Sequence, residues 1–279
     1  MTDWDTGQLA AVRVVALDVD GTIAGGDHRV SPRTRAAIGS LLELGIPVIL
    51  LTGRSRQNTL ELAQHLGITN EVVCCNGAVV VDPVRGENTR VITMHGSDVE
   101  AAIGAHRDLD LELTWWTPDD IVVGRDGPMR RQLIDLNEDE VAVADPGTIE
   151  PATVVKMMLY GTPERLDDTA SEILERLPRA TRSMDVFFEL VDSDANKWAA
   201  LQFVLERLGL SPDDVLGLGD GGNDVVWLSQ IGHPVAMGNA RQEVVDVTRH
   251  QTGHHADDGA AVILELTRNL IAAGSPAEI

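Results

Sequence analysis

Two short acidic segments, each placed directly after an apolar run, are the parts of this chain best suited to chemistry. The first reads Asp18-Val19-Asp20-Gly21-Thr22, so that one residue separates two carboxylates. One carboxylate could act as a nucleophile and metal ligand, and the other as a general acid and base. Gly21 would allow the backbone to bend sharply. An Asp-rich turn that caps the next element would explain this segment equally well.

The second acidic segment strengthens the chemical interpretation. It follows another apolar run and reads GLGDGGND, with carboxylates at Asp220 and Asp224. Mg²⁺ prefers oxygen ligands, commonly one or two carboxylates together with substrate phosphate and water. Gly221 and Gly222 would let the backbone approach an anion, and a helix that begins near Asn223 would favour negative charge. A Gly-rich turn with an Asp cap explains one carboxylate, but not the same pattern after two strands.

Two further polar sites are weaker when each is taken alone. Thr52-Gly53-Arg54 ends an apolar run, where a hydroxyl and exposed N–H groups could hold a phosphoryl group. A Thr that caps a helix is the simpler interpretation of that tripeptide. Lys197 opens a predicted helix, and a cation is locally unfavourable at a helix N-terminus. This position is only weak evidence for a functional role of Lys197, because a lone lysine is more commonly an exposed surface residue.

The predicted elements bring these residues to one edge of a sheet. Apolar runs at 12–19, 46–51 and 72–75 alternate with helices. Continuous apolar runs are typical of buried parallel strands, so this order predicts an α/β fold with a doubly wound, mostly parallel, Rossmann-like core sheet. Ligands of such sheets bind beyond the carboxyl ends of the strands, which is where Asp18 and Thr52 fall.

The middle of the chain has a different pattern. Between about residues 83 and 191, strands alternate with polar residues and turn signals. This is typical of a sheet with one face solvated or facing a partner, and it predicts an inserted α+β cap domain. We therefore expect a core formed by 1–82 and 192–279, with a cap at 83–191. Further elements are predicted at 112–116, 121–123, 154–160, 162–177, 187–191, 197–208, 215–218, 235–237 and 259–272.

Composition and charge restrict the classes of function. The chain has 279 residues, of which 43% are hydrophobic and 24% charged, an ordinary globular balance. Its formal net charge of −22 would repel nucleic acid and anionic membranes, and an anionic substrate would need a local cation. No signal-like segment or membrane-length apolar run is visible. The adjacent Cys74 and Cys75 suit reduced, buried residues. We expect a cytoplasmic protein without nucleic-acid or membrane partners.

Taken together, the four segments resemble the haloacid dehalogenase-like superfamily of phosphohydrolases. The order matches: DVDGT after an apolar strand, TGR after a second, then a lysine, then LGLGDGGND. The chain is similar, more narrowly, to the Cof-like subfamily of phosphatases, which has a large α/β cap between the second and third motifs. The segments SPRTRAAI, CNGA and AMGNA add to that resemblance.

The resemblance implies a Mg²⁺-dependent phosphatase with an aspartyl-phosphate intermediate. Asp18 would attack phosphorus, while Asp20 would protonate the leaving alkoxide and then deprotonate the attacking water. Thr52 and Lys197 would stabilise the phosphoryl oxygens. Further implied roles are phosphate binding by Gly53 and Asn223, metal ligation by Asp18, the backbone carbonyl of Asp20 and Asp220, and metal ligation or support of Lys197 by Asp224.

Four tryptophans carry expectations of their own. Trp198 follows the lysine, where the family commonly has Gly, so the ring could pack under the helix or shift Lys197. Trp227 stands where an aliphatic residue or Met is usual, and we interpret it as core packing. In the pair Trp115-Trp116, one ring could stack on a substrate, and at least one should be core because strand neighbours face opposite sides.

We expect the cap to determine the substrate specificity, and the substrate to be a small phosphorylated metabolite. Its acidic and hydroxyl-bearing residues Thr114, Thr117, Asp119 and Asp120 suit a polyhydroxylated leaving group, which predicts sugar phosphates or related metabolites. The same residues could simply solvate a loop. Two other functions stay open: a phosphomutase or phosphoryl transferase on the same scaffold, and a catalytically silent phosphometabolite-binding regulator. The intact set of acidic, Thr and Lys residues disfavours the regulator. We expect a monomer or homodimer.

Overall fold

A computed structural model describes residues 9–136 and 141–274 of the chain. The predicted core and cap ranges therefore include short stretches outside the described residues, and most of the N-terminal segment examined for a signal lies outside them too. The strands are β1 (Val14–Leu17), β2 (Val48–Leu50), β3 (Val72–Cys74), β4 (Val79–Asp82), β5 (Glu87–Val91), β6 (Glu112–Trp116), β7 (Ile121–Val123), β8 (Val141–Val143), β9 (Lys156–Tyr160), β10 (Thr181–Met184), β11 (Phe187–Val191), β12 (Val215–Gly219), β13 (His233–Ala236) and β14 (His250–Gln251).

The α-helices follow local signals that the sequence contains. Ser31, Ser55 and Thr162 accept hydrogen bonds from backbone N–H groups at three helix starts, and Gly67 and Gly209 adopt left-handed conformations at two helix ends. The helices are α1 (Pro32–Glu43), α2 (Arg56–Leu66), α3 (Gly96–Asp108), α4 (Pro128–Asp135), α5 (Pro163–Arg176), α6 (Lys197–Leu208), α7 (Val225–Leu228), α8 (Gln242–Val245) and α9 (Gly259–Gly274).

The central sheet has five parallel strands in the order β14-β13-β12-β1-β2. In β1, Val15 and Leu17 pack in the apolar cluster that includes α1 and α9, whereas Val14 and Ala16 pack in the cluster that includes α6 and α7. Helices thus cover both faces, and the predicted doubly wound parallel core is confirmed. Because β1 lies between β12 and β2, residues that follow these three strands meet at one edge.

The third predicted strand has a double role. Val73 of β3 forms a parallel bridge with Leu51, next to β2, as the α/β order predicts. However, β3 also pairs antiparallel with β4, and β4 with β5, so these strands form a separate three-stranded sheet. The sequence analysis did not predict β4 or β5, since an isolated hairpin has no helical partner to mark it.

The cap is built on a six-stranded sheet in the order β10-β11-β9-β6-β7-β8. Its pairs are antiparallel except for the parallel pair β7 and β8. Trp115 belongs to an apolar cluster with residues of α3 and α5, and Trp116 belongs to the cluster shared with the core. The predicted α+β cap is confirmed, although the sequence analysis missed α3 and α4. Within 9–136 and 141–274, no helix combines the length and apolar character needed to cross a bilayer.

Candidate active site

Asp18 lies at the carboxyl end of the central strand β1. Its backbone N–H donates to the Leu218 carbonyl of β12 at 3.0 Å, so the sheet fixes its position. The residue is 6% exposed, and its Oδ1 accepts a hydrogen bond from Lys197 Nζ at 2.6 Å. Burial and the nearby Asp224 carboxylate raise the pKa of Asp18 well above its usual range, against the opposing effect of Lys197. An additional positive charge beside this carboxylate would therefore be favourable.

Lys197 joins the two acidic segments. It is the first residue of α6, where the Asn196 side chain accepts a hydrogen bond from the Ala199 N–H at 2.8 Å. The buried ammonium donates to Asp18 Oδ1 at 2.6 Å and to Asp224 Oδ1 at 2.7 Å. Burial alone would lower the pKa of Lys197, but the two carboxylates outweigh it and raise the pKa. The lysine stays charged inside the site.

Trp198 does not displace the lysine beside it. Its ring is partly buried and packs against the apolar cluster that includes Ala200 and Val204 of the same helix. The neighbouring Lys197 side chain points into the acidic site with both ion pairs formed. Of the two alternatives for this departure from the family pattern, packing of the ring is the one observed.

Asp224 is fully buried and has four hydrogen-bond donors around it. Lys197 Nζ and the indole Nε1 of Trp227 reach Oδ1 at 2.7 and 2.8 Å, while the backbone N–H groups of Asp220 and Gly221 reach Oδ2 at 3.1 and 3.0 Å. The carboxylate is thereby suited to holding Lys197 in place. Trp227 is a core residue, as interpreted from the sequence, but it also orients Asp224, a role that its i+3 spacing from the aspartate could have indicated.

The carboxylates of Asp18, Asp220 and Asp224 form a group whose ligand atoms lie within 4.8 Å of one another. Burial and the nearby Asp224 raise the pKa of Asp220 to about 6. All donors in this group are carboxylate oxygens, the type that a hard divalent cation prefers. Lys197 offsets only part of the repulsion among these carboxylates. A bound cation would offset the rest. The residues present thus fit a divalent metal, with Asp18 and Asp220 freer to bind it than Asp224.

The turn after Asp20 brings Gly21 close to the Asp220 carboxylate. Gly21 has a φ of +82°, and a Cβ there would overlap the Asp220 carboxylate, so the position requires glycine. Thr22 Oγ1 donates to Asp220 Oδ1 at 3.3 Å, and Asn239 Nδ2 donates to Oδ2 at 3.2 Å and to the Gly21 carbonyl at 2.8 Å. The sequence analysis quoted Asn239 within AMGNA but gave it no role.

Asp20 is half-exposed and is held by an arginine. Arg54 donates from Nε to Oδ2 at 3.0 Å and from a terminal nitrogen to Oδ1 at 2.6 Å, and His28 Nδ1 lies 3.4 Å from Oδ1. Partial burial would raise the pKa of Asp20, but the contacts with Arg54 and His28 outweigh this and lower it. Asp20 is therefore ionised while it pairs with Arg54. Neither Arg54 nor His28 was assigned a role from the sequence.

The predicted phosphate-binding residues differ in whether they line the cavity above Asp18. Gly53 and Asn223 line the cavity above Asp18, as expected for residues that approach a phosphoryl group. Thr52 is 1% exposed, and its Oγ1 accepts a hydrogen bond from the Arg54 N–H at 3.1 Å. This bond closes a turn before α2, whose cap is Ser55 and not Thr52, so the capping interpretation of Thr52 is wrong. The bond leaves the hydroxyl hydrogen of Thr52 unused.

A cavity of about 380 Å³ lies between the core and the cap. Asp18, Asp20 and Asp220 line it from the core, so the acidic group opens into a space large enough for a small metabolite. Its cap wall consists of Trp116, Leu133, Leu136, Lys156, Met158, Ser183, Met184 and Glu189.

The cap residues predicted to contact the leaving group do not line this cavity. Thr114 is buried in its own sheet, where its Oγ1 donates to the Val122 carbonyl at 2.7 Å. Thr117 Oγ1 accepts from the N–H groups of Asp119 and Asp120 at 3.2 and 3.0 Å, which closes a turn. This part of the sequence-based prediction is wrong, because Thr114 bonds the neighbouring strand β7 and Thr117 bonds the backbone of its own turn.

Lys156 and Glu189 form an ion pair at 3.2 Å on adjacent strands of the cap sheet. Lys156 Nζ also donates to the Gly53 carbonyl at 3.2 Å, and Asn76 Nδ2 donates to Glu189 Oε2 at 3.0 Å, so both residues of the pair contact the core. The ammonium lies 4.3 Å from the centre of the Trp116 ring. Sequence reasoning missed this pair, since lone residues on strands give no pattern.

Replacing Gly77 by Ala should destabilise the fold by about 2–3 kcal/mol. Gly77 has a φ of +99°, and a Cβ there would overlap the Asn196 carbonyl at the start of α6. The shifted helix start would carry Lys197 with it, so catalysis should also fall. Urea unfolding followed by circular dichroism measures the loss of stability.

Gly86→Ala is the matched control, because Gly86 has a φ of +68° with nothing within 4 Å. This substitution should cost only about 1 kcal/mol. Equal losses would contradict the crowding at Asn196.

Comparisons with known proteins agree with this geometry. A family model described as haloacid dehalogenase-like hydrolase matches residues 15–264. A 5-amino-6-(5-phospho-D-ribitylamino)uracil phosphatase of Bacillus subtilis is 25% identical, with 90% of this chain and 93% of that protein covered. A phosphoglycolate phosphatase of Methanothermobacter thermautotrophicus is 26% identical, covering 90% and 96%. The crystal structure of a haloacid dehalogenase-like hydrolase from Bacteroides thetaiotaomicron has a TM-score of 0.80 at 25% identity, covering 91% and 98%.

Proposed function

The chain belongs to the haloacid dehalogenase-like hydrolase family, as its motifs suggested, and from that premise we propose that it hydrolyses small phosphate monoesters, among them sugar phosphates or related metabolites. The observation that carries the proposal is the buried arrangement of Asp18, Lys197 and Asp224, joined at 2.6 and 2.7 Å, with Asp18 lining the cavity between the core and the cap. The curated relatives above are named for different esters at nearly equal identity, so identity alone does not select a substrate.

The first chemical step is transfer of the phosphoryl group to the protein. An Asp18 oxygen attacks phosphorus, an acyl phosphate bond forms, and the bond to the ester oxygen breaks. Asp20 supplies the proton for the leaving alkoxide, and Lys197, Thr52, Gly53 and Asn223 stabilise the phosphoryl oxygens. To carry that proton, Asp20 must loosen its contact with Arg54, which favours the ionised form.

The second step returns the protein to its starting state. The ionised Asp20 takes a proton from a water molecule, which attacks phosphorus and releases inorganic phosphate together with the Asp18 carboxylate. The pairing with Arg54 suits this step, because it stabilises the carboxylate that acts as the base. Asp224 takes no part in bond making; it holds the ammonium of Lys197 toward Asp18.

We propose Mg²⁺ as the cofactor, bound by Asp18, Asp220 and the backbone carbonyl of Asp20. The ion would supply positive charge that offsets the repulsion between an anionic nucleophile and an anionic substrate. The carboxylate group with ligand atoms within 4.8 Å supports this assignment.

Removing the metal should abolish phosphate release, and Mg²⁺ should restore it. Ca²⁺ should substitute poorly, since it is larger and takes more ligands. Asp220→Ala should raise the Mg²⁺ concentration for half-maximal activity by about 100-fold or more. It should also reduce the rise in melting temperature that Mg²⁺ produces, a readout independent of turnover. Asp246→Ala, at an exposed acidic residue directly after α8, is the control. Unchanged activity in EDTA would contradict the metal assignment, whereas an unchanged titration in Asp220→Ala would place the ion elsewhere.

A screen of phosphorylated metabolites with Mg²⁺ tests the proposal as a whole. Release of inorganic phosphate supports hydrolysis, whereas formation of an isomeric phosphate ester without release would indicate a phosphomutase or phosphoryl transferase. Binding of phosphorylated metabolites without turnover would indicate a regulator and overturn the proposal.

We further propose a core at 1–82 and 192–279 with a cap at 83–191, in a cytoplasmic monomer or homodimer. The six-stranded sheet of β6–β11 supports the cap range, while β5 pairs with β4, so the two ranges are joined by a sheet across residue 83. The net charge of −22 supports the expectation of no nucleic-acid or anionic membrane partner.

A further inference from the structure

The chain has only two lysines, Lys156 and Lys197, among its 22 lysine and arginine residues. Both are buried, with 2% and 3% of their surface exposed. An ammonium is a compact charge with three donors, which a planar guanidinium does not replace. Lys197 holds its place in the acidic site, whereas Lys156 has the same burial and no role in the reaction as derived so far.

The Lys156 ammonium, on strand β9 of the cap, has three neighbours. It pairs with Glu189 Oε1 at 3.2 Å, donates to the Gly53 carbonyl at 3.2 Å and lies 4.3 Å from the centre of the Trp116 ring. On the face that it covers, stacking of a substrate on Trp116, one of the sequence-based expectations, is blocked. Of the three contacts, the bond to Gly53 is the one that reaches the core.

That bond completes a row of three held carbonyls in the segment 52–54. The backbone N–H groups of Cys75 and Asn76, in the loop after β3, donate to the two outer carbonyls, each at 2.9 Å. Lys156 donates to the middle carbonyl, that of Gly53. The core therefore holds the two outer carbonyls of this phosphate-binding segment, and the cap holds the middle one.

The peptide that Lys156 holds also determines how the Thr52 hydroxyl is presented. A trans peptide is planar, so its C=O and N–H groups point in opposite directions. The N–H of this peptide belongs to Arg54 and donates to Thr52 Oγ1 at 3.1 Å. Because the hydroxyl oxygen accepts that bond, its hydrogen is left for a phosphoryl oxygen. A rotated peptide would break the contacts at both of its ends.

We infer that Lys156 is a positioning residue of the reaction. The cap uses it to hold the peptide between Gly53 and Arg54, so that the Thr52 hydroxyl donates to the phosphoryl group during transfer. Lys156 acts through this segment of the core and does not read the leaving group. The inference rests on the proposed phosphatase function and makes the phosphoryl-transfer step itself depend on a cap residue.

Lys156→Met keeps the length of the side chain and removes its donors. It should lower kcat by about 10–100-fold, the scale expected when a catalytic group is misplaced. KM should change by less than about threefold, because the donor from Thr52 acts mainly in the transition state. The loss should be alike for p-nitrophenyl phosphate, glycerol 3-phosphate and acetyl phosphate, whose leaving groups differ in size. A loss confined to the larger leaving groups would show direct contact with them and overturn the inference.

A double-mutant cycle with Thr52→Val tests the route of the effect. Valine has nearly the shape of threonine but no hydroxyl, so the group through which Lys156 acts is gone. Adding Lys156→Met to Thr52→Val should then lower kcat by less than about threefold. A further loss as large as that in the unmodified background would mean that Lys156 acts by another route, and would contradict the inference.

Two further variants separate positioning from stability of the cap. Lys156→Met/Glu189→Gln leaves no unpaired carboxylate, and its amide oxygen can still accept from Asn76, so this variant should fold and show the same loss of kcat. Arg176→Met is the matched control, since it removes an ion pair with Asp108 at 2.7 Å between two cap helices. It should retain kcat, and melting curves confirm folding. Recovery of kcat in the double variant, or an equal loss in Arg176→Met, would overturn the inference.

The failures of the two proposals differ. Phosphate release at the unmodified rate by Lys156→Met would overturn the inference and leave the phosphatase function standing. No release by the unmodified protein, from these phosphates or from the wider metabolite screen, would overturn the proposed function, and the inference with it.

Discussion

Asp18→Asn should lower the rate of phosphate release by about 10⁴–10⁶-fold. The amide is a poor nucleophile, and Asp224 is not free to replace it, because that carboxylate already accepts four hydrogen bonds. The fold should persist, since Lys197 keeps its ion pair with Asp224 at 2.7 Å. Burial already disfavours the ionised form of Asp18, so the neutral amide should leave the melting temperature equal or higher.

The measurement combines turnover with thermal melting. Asp27→Asn is the matched control: Asp27 is exposed and accepts a hydrogen bond from the Arg29 N–H in the same segment. It should retain the activity of the unmodified protein. Phosphate release by Asp18→Asn at the unmodified rate would show that Asp18 forms no acyl phosphate and would remove the nucleophile from the mechanism.

Asp20→Asn should reduce kcat by about 10²–10⁴-fold on alkyl phosphates, the scale of general acid–base catalysis. The amide cannot give a proton to the alkoxide or take one from water. The loss should be smaller on p-nitrophenyl phosphate in the first step, because p-nitrophenolate is a stable leaving group and needs little protonation. The measurement is kcat on an alkyl and an aryl ester under the same conditions.

The two steps of the reaction separate in this variant. If Asp20 acts as the acid, a burst of p-nitrophenol should precede slow turnover, since only the second step still needs the base. Arg54→Lys offers a comparison: it keeps a positive charge but loses the bidentate contact with Asp20 at 3.0 and 2.6 Å. Equal losses on both esters, without a burst, would exclude Asp20 as the acid.

The sequence predicted the core of the site because one rule of topology was sufficient. Asp18 and Asp220 each follow an apolar strand, and the ends of parallel strands meet at one edge of a sheet. The register of β1 with β12 then brings them together, since Leu17 lies opposite Leu218. Lys197 required the family resemblance, because its distance of 179 residues from Asp18 along the chain leaves no local signal.

The residues that sequence reasoning missed depend on contacts between distant segments. Arg54 meets Asp20 across 34 residues, and Asn76 meets Glu189 across 113. A single arginine or asparagine carries no periodic pattern from which such a contact could be found. The error in the cap has the same origin: the polar character of Thr114 was visible, but the acceptor that its hydroxyl uses, the Val122 carbonyl, was set by the sheet register.

The location of the Lys156–Glu189 ion pair affects how easily the cavity can exchange its contents. Both charges lie on the cap sheet, so a movement of that sheet away from the core would carry the pair along intact. It would break the hydrogen bonds from Lys156 to Gly53 and from Asn76 to Glu189, at a cost of about 1–3 kcal/mol in all. For these contacts alone, that cost corresponds to between about one molecule in six and one in 160 being open at equilibrium. Product could then depart, and new substrate enter, without any buried charge being left alone.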